Sequence, residues 1–115
     1  MTTKDEVGAY LGGVRALIES GRVLFVSRPK NEEALLALEM SKKAAVEDVR
    51  CLTPENYCGG PQEDRDRPEQ ECWMFGLNIK SQDIYVKLVI DAPAGRKRLK
   101  ILSFHQAERT LCYQF

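Results

Sequence analysis

The sequence predicts an α+β fold: an antiparallel β-sheet meander with two or three N-terminal helices packed on one face. Three observations carry this reading. Apolar residues recur at three- and four-residue spacing in the first half and alternate at period two in the second. A Pro/Gly-rich stretch with neither period separates them. At 115 residues the chain makes one domain with a single modest core. Residues 1–52 read as mainly helical with one short strand, 53–71 as a long loop, and 72–115 as the sheet.

The first helix is drawn by Val7, Tyr10, Leu11, Val14, Leu17 and Ile18, with Gly21 as its stop. Gly8, Gly12 and Gly13 weaken it by about 0.5–1 kcal/mol each relative to alanine, so its stability must come from packing. Arg22 to Val26 is a short β-like run ended by Arg28-Pro29. Asn31 is the expected cap of a second helix carrying Ala34, Leu35, Leu38 and Met40, with Glu32 and Glu33 in its first turn. Ser41 caps a third, with Ala45, Val46, Val49 and Leu52 at helical spacing. Its exposed Glu47 and Asp48 argue against a DNA-reading helix-turn-helix.

Residues Thr53 to Glu71 hold three prolines and a Gly-Gly pair without an apolar period, so they read as a loop. Within it, Arg65 and Arg67 are candidates to reach an anionic ligand. Beyond it, Trp73, Phe75, Leu77 and Ile79 share one face of a strand, and Ile84, Val86, Leu88 and Ile90 share one face of the next. Lys80-Ser81-Gln82 makes the turn between them. A Pro/Gly loop and a basic cluster lead to a last strand over Leu99–Phe104, and Leu111–Phe115 is apolar enough to dock, as an edge strand.

Net charge is zero, but unevenly spread: residues 72–115 carry seven basic groups against three acidic, and residues 1–71 carry ten against fourteen. The positive part is suited either to phosphates or to its own acidic half. Four cysteines without C-x-x-C spacing, beside a single histidine, give no zinc or redox motif. They read as reduced thiols of a cytoplasmic chain, with no metal or other cofactor expected. The polar start and the absence of a long apolar run point away from secretion and from a membrane partner.

Parity also says what points away from the core. With Ile84, Val86, Leu88 and Ile90 inward, Tyr85 and Lys87 emerge together on the other face. Taking Leu102 and Phe104 as one apolar set puts Ser103 and His105 on the other, and antiparallel pairing then joins all four in one polar patch. Taken singly, each is an ordinary strand residue. Together they supply an imidazole that moves protons near neutrality, an ammonium for phosphate charge and a phenol for orientation. RNA cleavage without metal needs those parts, because the substrate brings its own 2′-hydroxyl nucleophile.

The runs "LTPENY", "WMFG" followed by "IYVKL", and "LSFHQAE" resemble the MqsR-type toxins of bacterial toxin–antitoxin modules, within the RelE-like mRNA interferases. The likeness covers about Leu52 to Glu108. It implies a helix-covered sheet, metal-independent endoribonuclease cleavage of single-stranded mRNA, and neutralisation by a cognate antitoxin protein. By position, Tyr85 and Lys87 match the family's Tyr-x-Lys strand, and His105 stands where the family commonly has a catalytic lysine. The catalytic set expected is His105, Lys87 and Tyr85, with Arg65, Arg67 and Ser103 binding RNA. The family's further lysine is replaced by Cys58-Gly59-Gly60, and its glutamine beside Trp73 by Met74. Those departures sustain a second expectation, a catalytically inactive module of the same fold that binds a protein partner.

Overall fold

A computed structural model describes residues 1–115. Along the chain run α1 (Lys4–Glu19), β1 (Val23–Phe25), α2 (Pro29–Leu38), α3 (Lys42–Arg50), β2 (Tyr57–Glu63), β3 (Glu71–Ile79), β4 (Gln82–Asp91) and β5 (Arg98–Gln106). The sheet order is β1-β5-β4-β3-β2. Strands β2 to β5 form an antiparallel meander. The fold is α+β as expected, but β1 lies parallel to β5 and makes the five-stranded sheet mixed.

The helices cover one face. Val7, Leu11 and Val14 of α1, Leu35 and Leu38 of α2, and Ala45 and Val49 of α3 share a core with Phe75, Val86, Leu88 and Phe104 of the sheet. Local signals set the helix ends. Thr3 and Glu6 make a reciprocal capping box, Gly21 takes a left-handed φ of 76° just past α1, and the Ser41 hydroxyl accepts from the Ala44 N–H.

Asn31 is not the cap of α2; Arg28 holds that place with Pro29 after it. It faces inward, fully buried, because β1 is too short to cover the whole edge of β5. Its amide donates to the Val26 and Leu102 carbonyls at 3.0 Å each, and its side-chain oxygen accepts from the Phe104 N–H at 3.0 Å. One side chain thus satisfies strand groups that would otherwise be buried without partners.

The loop expected over 53–71 contains a strand. β2 pairs with β3 through two register shifts and carries Gly59, Gly60 and Pro61, so it has no period-two pattern to read. As an edge strand it tolerates a proline that cannot donate. Gly60 is required there: its φ is 103°, and a Cβ would stand 2.5 Å from the Cys72 carbonyl oxygen. The β3–β4 connection is a two-residue turn, Lys80-Ser81, with φ of 51° and 66°. The tail docks without becoming a strand: the Gln114 N–H donates to the Tyr57 carbonyl at 3.0 Å, and Phe115 stacks on Tyr57. No helix is long and apolar enough to cross a membrane.

Candidate functional site

The site lies on the sheet face away from the helices. In the β4–β5 register Tyr85 stands opposite His105 and Lys87 opposite Ser103, so the four expected residues share one face of two neighbouring strands. The Tyr85 and His105 rings are 5.7 Å apart, centre to centre. On the other side of β4, Gly76 faces Tyr85 and Met74 faces Lys87.

The parity survives for a reason the sequence hides. The register steps between Lys87 and Leu88, where β5 carries one residue more than β4: Lys87 pairs with Ser103, and Leu88 with Ile101. The extra residue is Leu102, a β-bulge. Leu102 and Phe104 are therefore not one apolar set. Phe104 is in the main core, while Leu102 joins a smaller cluster with Cys72, Met74 and Val89. The bulge falls before Ser103, so Ser103 and His105 still face outward with Tyr85 and Lys87.

A cleft of about 440 Å³ opens beside the pair, walled by Tyr85, His105, Met74 and Cys58 from the sheet and by Ala107 to Cys112 from the tail. His105 is half-buried at its edge. Its Nδ1 lies 2.9 Å from the Gln106 carbonyl, which can only accept, so in the neutral ring Nδ1 carries the proton and Nε2 keeps the lone pair. That is the tautomer of a general base with a fixed ring.

Burial pushes the Tyr85 phenol above its ordinary pKa, with the Cys72 and Cys58 sulfurs adding to the rise. At neutral pH Tyr85 is therefore a hydrogen-bond donor rather than a phenolate. Glu108, also in the cleft wall, is held below the usual carboxylate range first by its hydrogen bond to Lys30, at 2.7 Å, with the charge of Lys30 adding to the effect.

Lys87 and Ser103 form the next row and do not line the cleft. Lys87 is half-buried and its ammonium is near enough to favour the Cys72 thiolate, though burial outweighs it and raises that thiol. Ser103 is only 6 % exposed, so its row is accessible mainly through Lys87. Arg65 and Arg67 are not brought to the site. They are exposed in the β2–β3 turn, which is tied to the other end of the sheet by Lys100 donating to Gln70 at 3.1 Å. From Val89, beside that turn, to Tyr85 is four residues, about 13 Å of strand.

The cation that does line the cleft is Arg109. The sequence offered no sign of it beyond its place four residues after His105. Compared with protein-family models, with curated proteins and with solved structures, the chain matches none.

Proposed function

We propose that this chain is an MqsR-like endoribonuclease toxin that cleaves single-stranded mRNA without a metal cofactor. The observation that carries the reading is the pairing of Tyr85 with His105 at the edge of an open cleft, with Lys87 in the adjacent row. His105 Nε2 takes the proton of the substrate's 2′-hydroxyl as that oxygen attacks the adjacent phosphorus; the P–O5′ bond breaks, a 2′,3′-cyclic phosphate remains, and the 5′-oxygen leaves with a proton from the imidazolium or from water. The ammonium of Lys87 stabilises the charge that builds on the phosphoryl oxygens, and the Tyr85 hydroxyl donates to the phosphate or orients the scissile nucleotide. Arg109, on the opposite wall, adds a guanidinium for a neighbouring phosphate. A cognate antitoxin would silence the activity by covering this face.

The test is cleavage of a single-stranded RNA by the purified full-length chain in the presence of a chelator. His105→Ala should slow it by about 10²–10⁴-fold, the usual worth of a general acid or base. Cleavage unchanged by His105→Ala would remove the proposed role.

A second reading is favoured by one row of the sheet. Gly59 pairs with Met74, and Met74 with Lys87. The two positions where the resemblance calls for a lysine and a glutamine thus fall together beside Lys87, and both are apolar. On that ground the alternative is a non-catalytic module that binds a protein partner through the same face. Chelator-resistant cleavage abolished by Lys87→Ala eliminates it.

A further inference from the structure

The tail that roofs the cleft is seated on the sheet by contacts that converge on two thiols. Leu111 and Tyr113 lie directly over Gly76, so closely that a Cβ there would stand 2.6 Å from Leu111 Cδ1 and 2.7 Å from the Tyr113 hydroxyl. The Gln114 side-chain amide donates to the backbone carbonyls of both Cys58, at 3.4 Å, and Cys112, at 3.1 Å. Both cysteines are free thiols and both line the cleft that holds Tyr85 and His105. The other two are unsuited to the tail: Cys51 is exposed beside Glu47 at the end of α3, and Cys72 is fully buried.

We propose that Cys58 and Cys112 form a reversible disulfide that latches the C-terminal tail across the open face of the sheet and fixes the wall of the cleft. The inference concerns the cleft itself and stands whether or not the cleft cuts RNA. Tail docking already holds the two residues together, so the second step of oxidation is intramolecular and has a high effective concentration.

The oxidant is a low-molecular-weight disulfide such as glutathione disulfide. Cys112 is exposed, and as its thiolate it attacks one glutathione sulfur and releases the other glutathione as thiolate. The Cys58 thiol then loses its proton and attacks the Cys112 sulfur, and the second glutathione leaves. Two protein thiols are oxidised to one disulfide, and one glutathione disulfide is reduced to two thiols. Burial raises the Cys58 thiol, with the Cys112 backbone acting against the rise, so Cys58 reacts second, once the mixed disulfide holds its target sulfur beside it.

The full-length chain, incubated with glutathione disulfide and quenched with an alkylating agent, is read by intact mass and peptide mapping. The expected result is a Cys58–Cys112 cross-linked peptide pair and two alkylatable thiols of the original four, reversed by dithiothreitol. Amide exchange over residues 107–115 should slow by roughly tenfold or more in the oxidised form. Cys51→Ser should behave as wild type, while Cys112→Ser should keep three alkylatable thiols or carry only a glutathione adduct. Oxidation that stops at glutathione adducts in the wild type, that pairs Cys58 with Cys72, or that leaves tail exchange unchanged overturns the proposal.

Discussion

Asn31 shows how one buried amide can do the work of a missing strand. Replacing it with alanine leaves two carbonyls and an N–H without partners, at about 1–3 kcal/mol for each group that water cannot reach. Asn31→Asp should be worse than alanine at neutral pH, because a carboxylate oxygen would face the Val26 and Leu102 carbonyls. Chemical denaturation of both variants measures the order. Tyr10 presents the opposite case. Its ring stacks on Trp73 at 4.1 Å, but its buried hydroxyl has no hydrogen-bond partner. Tyr10→Phe keeps the stack and removes the orphan, so it should raise stability by about 1 kcal/mol in the same assay. Neither property was legible in the sequence. An asparagine before a helical run looks like a cap, and a tyrosine on an apolar stripe looks satisfied. Only the short reach of β1 turns Asn31 inward.

Among the elements, β3 and β4 were legible because both alternate cleanly, α1 because its apolar period runs up to Gly21, and α3 because cap and period agree. β2 was not, since an irregular edge strand with two glycines and a proline satisfies its backbone without a patterned face. The turn joining β3 to β4 was legible as a turn but not in type. Both its residues have positive φ, a conformation that asparagine and glycine adopt more readily than lysine and serine. Ser81→Gly should therefore raise the thermal midpoint, by relieving about 1 kcal/mol of backbone strain. Lys80 is best kept, because its ammonium donates to the Leu38 carbonyl at the end of α2, at 2.5 Å. Gly76→Ala acts on a different joint. Its Cβ would displace Leu111 and Tyr113, so the tail should leave the sheet and exchange its amides faster while β3 and β4 keep their protection.

Across the whole molecule, the charge asymmetry has a structural answer. No ion pair joins a base of residues 72–115 to an acid of residues 1–71. The one ion pair between the two parts, Lys30 with Glu108, runs in the opposite sense, and Lys80, Lys87, Arg96, Lys97 and Arg109 make no ion pair with a carboxylate. Any binding of single-stranded RNA should therefore weaken steeply with added salt, as titrations at several ionic strengths would register. The strongest charges of the second half pair with each other instead. Asp91 meets Arg98 at 2.9 Å and the largely buried Lys100 at 3.4 Å, and Lys100 ties down the β2–β3 turn. Burial works to raise the Asp91 pKa, but the hydrogen bond and charge of Arg98 and the charge of Lys100 outweigh it and lower it below 3.8. A carboxylate depressed in the folded state stabilises it above its unfolded pKa. That contribution is therefore present at neutral pH and lost as pH falls below about 3.8. Asp91→Asn should flatten this acid limb in a stability-against-pH series.

The surplus residue at Leu102 has a consequence for how this frame can vary. Counting by twos from Leu99 and Ile101 would send Ser103 and His105 into the oil and turn Phe104 out to water. The strand avoids that by being one link longer than its neighbour at that point. Which way the imidazole looks is thus decided by chain length as much as by residue identity. In any variant of this molecule, an inserted or deleted residue between Ile101 and Phe104 would alter the cleft more deeply than any exchange of side chains around it.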